Sequence, residues 1–255
     1  MKKILLLSLL ITSVYANDCL PSALELCDYS WGTFYHLDNN VGISLLGNYN
    51  QSNFSNNANG ATNTATIGGG AEVNFDVLMV NGLWWSNRIN YQNYFGNSNY
   101  TDSMFNYTLK LGYAMQAIND YWLITPYATG SMGAGWETWD GNYNYGAGLG
   151  IRTEVALVTR NSLYFDYSYQ WLIDQGELTS SYNNQFNTSH ITVGNQPVAQ
   201  IAEIGYKHVF NCGFNMNVFY RYTQNNFSFS GSSTNQNYTN GTNMIGIGVS
   251  WYTGG

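Results

Sequence analysis

The sequence predicts an all-β protein: a transmembrane antiparallel up-and-down β-barrel of ten strands, with eight and twelve as the alternatives. Three observations carry that expectation. Apolar and polar residues alternate with period two over segments much longer than the ~5–6 residues of a soluble strand. The connections between segments alternate between short and long, as in barrels that cross a membrane. Charged residues make up only 9% of the 255 residues, against roughly 25% in ordinary soluble domains, while aromatics reach 16%.

Residues 1–16 read MKKILLLSLLITSVYA. Lys2 and Lys3 form a positive start, Ile4 to Ile11 a short apolar core, and Val14-Tyr15-Ala16 a cleavage box. This is the pattern of a secretory signal peptide, too short for a spanning anchor. Residues 17–40 are a periplasmic lead-in, a short plug, or an extra strand through Tyr29, Trp31 and Thr33. Cys19 and Cys27 lie here and Cys212 far away, an odd set from which an oxidising compartment permits one disulfide. There is no CxxC and no His cluster, so no metal site is expected.

The barrel is expected over 41–252. Segment 41–51 is a weak strand. From 65 to 79, Ala65, Ile67, Ala71, Val73, Phe75, Val77 and Met79 form one face and Glu72, Asn74 and Asp76 share the other. After the Asn81-Gly82 turn, Ser86, Arg88, Asn90 and Gln92 oppose Ile89 and Tyr91. Segments starting at 105, 145, 163, 202, 214 and 245 repeat the pattern, with Lys110, Arg152, Glu154, Asp166, Glu203, Lys207 and Arg221 on their polar faces. Segment 121–134 is strand-like, with faces that do not separate. Short connections fall near 80–82, 118–120, 158–162 and 210–213. Five longer outside loops fall near 52–63, 96–103, 135–143, 174–197 and 225–241.

Aromatics gather beside the short turns and at the C-terminus: Trp84, Trp85, Tyr121, Trp122, Tyr164, Phe210, Phe214, Trp251 and Tyr252. They are expected to form a girdle at the membrane interface. The charges sort differently. Glu72, Asp76, Glu154, Asp166 and Glu203 share the polar strand faces with Arg88, Lys110, Arg152, Lys207 and Arg221, five acids against five bases. An Arg or Lys facing lipid at the midplane costs ~2–4 kcal/mol, which explains their absence from the apolar faces. Inside, they form either a paired network filling a narrow lumen or the lining of a small pore; barrel size favours the filled lumen.

Composition excludes several classes. With 8 Lys+Arg against 15 Asp+Glu there is no electrostatic footprint for nucleic acid. No cofactor motif appears. No catalytic site is expected either. His190 falls in the fourth outside loop with Asp174 and Glu177, but Thr188 stands where the Asp-x-His pair of omptin-type proteases would need an Asp, and Asp102 stands alone in the second loop. A barrel-rim hydrolase therefore remains only as an alternative.

The signal peptide, the run Thr125-Pro126-Tyr127-Ala128 and the end Ile245-Gly246-Ile247-Gly248-Val249-Ser250-Trp251-Tyr252 resemble the opacity-type outer-membrane β-barrel proteins of Gram-negative bacteria. The end differs from the usual assembly signal by running on to Thr253-Gly254-Gly255. The resemblance implies residence in the cell outer membrane, insertion by the barrel assembly machinery, and contact with outer-membrane lipid and lipopolysaccharide. The expected role is structural or adhesive, with a host or cell-surface ligand met by the loops. The alternative is a small diffusion pore.

Overall fold

The computed structural model describes residues 34, 38–56, 60–79, 81–95, 101–117, 121–136, 143–158, 160–173, 192–210, 214–230 and 235–252. Eleven strand segments follow in chain order: β1 (Asn40–Asn56), β2 (Gly60–Leu78), β3 (Leu83–Phe95), β4 (Thr101–Tyr113), β5 (Met115–Gln116), β6 (Trp122–Trp136), β7 (Tyr143–Val158), β8 (Asn161–Ile173), β9 (Thr192–Val209), β10 (Phe214–Ser230) and β11 (Asn235–Tyr252). β5 continues β4 past Ala114, and both pair with β6, so the segments make ten staves.

Each stave pairs antiparallel with its chain neighbour, β1 pairs with β11, and β4 with β6, which closes the sheet. Closure leaves no edge and satisfies the backbone without water, the condition for strands in lipid. The N- and C-terminal strands meet in register, Asn40 opposite Tyr252. The short connections lie at that same end. The Asn81-Gly82 turn there needs Gly82, which has φ of 91°, a backbone that a side chain would strain.

The two faces have opposite chemistry. Outward stand Leu45, Ile67, Leu111, Leu149, Ile204 and Ile245, all largely exposed. Inward and buried stand Ser44, Glu72, Arg88, Gln92, Arg152, Asp166, Gln170, Glu203 and Arg221. A soluble protein has the reverse arrangement; an apolar outside around a polar inside marks a barrel built for lipid.

Two strand pairs run further than the sequence indicates. The β1–β2 register continues to Asn56↔Gly60, and β10–β11 to Ser230↔Asn235. The polar stretches 52–63 and 225–241 are therefore mostly strand, with only 57–59 and 231–234 left between the paired residues. β9 begins at Thr192, inside the expected loop 174–197, and β4 at Thr101, inside 96–103. Asn, Ser and Thr satisfy a paired backbone as well as apolar residues do, so polarity alone overstated the loops.

Before β1 the Asp38 amide donates to the Phe34 carbonyl at 2.9 Å, tying these two residues together. Phe34 is fully buried, and Asp38, Asn39 and Asn40 nearly so. Asn39 clamps the end of β2: its Nδ2 donates to the Leu78 carbonyl and its Oδ1 accepts the Leu78 amide.

Candidate functional site: the barrel lumen

At the turn end the lumen is apolar. Phe34 packs with Leu78, Trp84, Ala114, Leu123, Tyr127 and Ala156 in one buried cluster. Leu123 and Tyr127 belong to β6, which explains why its two faces resemble each other in sequence: the inner face turns apolar where it meets Phe34. Trp84 packs against Tyr127 at a tilt of 54°, with ring centroids 5.7 Å apart.

Above this cluster lies the first set of charges. Arg152 donates through Nη2 to Asp38 at 3.1 Å and to Glu154 at 2.5 Å. Lys207 also donates to Asp38, and lies 3.4 Å from Glu154. Ser162 donates to the free Glu154 oxygen at 2.5 Å. Burial pushes the Asp38 carboxyl above its ordinary value, while Arg152 and Lys207 pull the other way. The Arg152 guanidinium lies over both the Trp84 and Tyr164 rings, 5.3 and 4.7 Å from their centroids.

The second set crosses the middle of the barrel. Glu203 is its hub: Oε2 accepts from Arg88 Nη1 and Arg221 Nε, each at 2.6 Å, and Oε1 accepts the Tyr164 hydroxyl at 2.8 Å. Arg221 also grips Glu72 through two nitrogens at 2.7 and 3.0 Å. Such bidentate, charge-assisted pairs are the strongest kind of hydrogen bond. Lys110 donates to Asp166 at 2.6 Å, and the Tyr127 hydroxyl donates to the other Asp166 oxygen. Asp76 stands apart: its Oδ2 accepts from Asn74 at 3.1 Å, and its Oδ1 has no hydrogen-bond partner among the described residues.

Glycines make room for the inward rings. Tyr127 faces Gly150, Tyr164 faces Gly205 and Phe219 faces Gly246, each directly across a strand pair. A Cβ at Gly205 or Gly246 would collide with the opposing ring. The rings take up the space that a Cβ at these glycines would need, beside the charged layer.

The loop-end half differs. A chamber of about 190 Å³ lies above the ion pairs. Amides and hydroxyls share its wall with Met104, Met132, Leu172, Ile201 and Met244. Gln92 Oε1 in that wall accepts from Asn48 Nδ2 and the Tyr94 hydroxyl, at 2.9 and 2.5 Å.

Three aromatic placements, Trp84, Tyr164 and Tyr252, correct the sequence reading. Trp84 and Tyr164 do not join the girdle. They point inward, 1% and 2% exposed. Proximity to a turn is a poorer guide than parity: Trp84 shares a face with Ser86 and Arg88, and Tyr164 with Asp166. Trp85 and Phe210 face outward, Tyr121 is exposed just before β6, and Trp122, Phe214 and Trp251 are half-buried on the outside, whereas Tyr252, opposite the buried Asn40, is half-buried on the inner parity at the end of its strand. His208, Phe210, Phe214 and Trp251 form a chain of rings along the rim, with centroids 4.6, 5.5 and 5.8 Å apart. Phe75 joins Trp85 in the same band, 5.8 Å away.

The sequence reading also missed Asp38 and Phe34, because so short a stretch ahead of the first strand carries no periodicity. Cys19, Cys27 and Cys212 lie outside the described residues, as do His36, His190, Asp174 and Glu177. No group of three or more His, Cys, Asp or Glu fit to hold a metal occurs among the described residues.

No protein-family model matches the chain, and no curated protein is similar to it in sequence. Solved structures share its shape at great sequence distance. The outer membrane protease OmpT from Escherichia coli is 9% identical, with 84% of this chain and 97% of that one covered and a TM-score of 0.45. The beta domain of the Bordetella autotransporter BrkA is 12% identical, over 84% and 100%, with a TM-score of 0.47. Neisserial surface protein A is 8% identical, over 83% and 97%, with a TM-score of 0.30. These are distant likenesses of shape and say nothing of activity. The chain's own geometry is sufficient for its location. A closed, even-stranded barrel with a lipid-compatible outside is an integral outer-membrane protein.

Proposed function

We propose that this barrel is a non-conducting, non-catalytic surface protein, whose outside loops contact a ligand on a host or another cell. One observation carries the reading. Phe34, Asp38 and the ion pairs above them occupy the lumen at the turn end, so the interior offers structure and not passage. Function then falls to the connections at the other end, which are rich in Asn, Ser and Thr. Charge-poor polar loops of this kind favour contacts made by hydrogen bonds and aromatic rings.

The test uses cells displaying the chain and cultured animal cells as the probe surface. Deleting 174–191, between β8 and β9, is expected to abolish adherence while the barrel keeps its heat-modifiable gel mobility. Full adherence by this deletion and by one of 231–234 would refute the proposal. A diffusion pore is the second reading, favoured by the chamber in the loop-end half. It requires Phe34 to leave its seat.

A further inference from the structure

The chamber above the ion pairs is unbalanced in its hydrogen-bonding groups. Its floor presents Arg88, Lys110, Arg221 and Glu203, three cations and one carboxylate. Glu203 is largely committed: three of its roughly four acceptor sites already take charged or phenolic donors. The other acids of this layer, Glu72 and Asp166, grip Arg221 and Lys110 but do not line the chamber. Donors, in contrast, are left over. A guanidinium has five N–H groups and an ammonium three. Arg88 gives one hydrogen bond, to Glu203, and its Nε is buried without an acceptor among the described residues. Lys110 gives one, to Asp166, and its ammonium lies over the Tyr127 ring, 4.9 Å from the centroid. The Arg88 and Lys110 side chains are only 10% and 7% exposed, and what they expose lines the chamber.

The walls above are neutral, and part of them is apolar, from Met104, Met132, Leu172, Ile201 and Met244. Gln92, Asn106, Thr108, Gln170 and Asn225 supply amide and hydroxyl groups that both donate and accept. A space of about 190 Å³ is roughly the volume of six waters, enough for one small solute.

From this arrangement we infer that the chamber is a binding site for a small hydroxylated carboxylate. The carboxylate takes the spare Arg88 and Lys110 donors, and the hydroxyls take the neutral walls. A fixed guanidinium fork suits a planar carboxylate better than a spherical anion. The site does not depend on whether the barrel conducts or adheres.

Isothermal titration calorimetry of the refolded full chain tests it, with gluconate as probe and sorbitol as the matched polyol without the carboxylate. Gluconate is expected to bind and sorbitol not to. Arg88→Gln should weaken gluconate binding at least tenfold. Since Arg88 also serves the ion-pair layer, Thr108→Trp provides an independent variant: it fills the chamber above Lys110 without touching a charge, and should abolish binding with folded mobility kept. Equal heats from gluconate and sorbitol would overturn the inference. So would displacement of gluconate by millimolar chloride, or unchanged gluconate affinity in folded Thr108→Trp.

Discussion

The two halves of the lumen are built from the same alternating strands but filled in opposite ways. At the turn end Phe34 enters an apolar seat, Asp38, Arg152, Glu154 and Lys207 close over it, and only a gap of about 20 Å³ is left beside Asp76. At the loop end, inward amides leave a chamber. The difference teaches where the barrel keeps its stability. Charges buried in a lumen are tolerable only as complete sets, because the desolvation of each ion is offset by its partners. Amides near a chamber ask for less, since water or solute completes their hydrogen bonds.

The largest effect should come from breaking a complete set in the turn-end half. Arg152→Ala leaves Asp38 and Glu154 with Lys207 as their shared cation and removes the guanidinium from over Trp84 and Tyr164. A loss of about 3–5 kcal/mol is expected in urea unfolding of the refolded barrel. An unchanged midpoint would mean the layer adds nothing. Phe34→Ala should cost less, about 2–3 kcal/mol, because the residues before β1 can detach while the strands stay paired. Protease cleavage before Asn40 should then become fast, and wild-type resistance to cleavage in the variant would show that Phe34 does not hold those residues. Gly205→Val should cost about 1–3 kcal/mol by driving a side chain into the Tyr164 ring. Adding Tyr164→Ala should recover part of that loss, and a strictly additive double variant would place the strain elsewhere. Smallest is Asn106→Ala in the chamber wall, expected within about 0.5 kcal/mol of wild type.

Much of this contrast was legible in the chain, and the exceptions have physical reasons. Period two sorted Glu72, Arg88, Arg152, Glu203 and Arg221 onto one face of their strands, since lipid forbids them the other. The same parity places Trp84 and Tyr164 inside, but nearness to a turn outweighed it in the sequence reading. β6 hid its faces because Leu123 and Tyr127 line the Phe34 seat. The extent of the hairpins was not legible, because polar residues beyond the membrane pair their backbones without an apolar face to mark them. Phe34 and Asp38 lay furthest from reach. The ion pairs of Asp38 are with Arg152 and Lys207, more than a hundred positions away, and so short a stretch leaves no repeating pattern.

Single-channel recording tests the central claim most directly. The refolded full chain, shown folded by its heat-modifiable mobility, is inserted into a planar bilayer in potassium chloride. A lumen closed at the turn end predicts a silent membrane. Steady current steps that scale with salt would contradict it, and would mean that water and ions pass between the ion pairs.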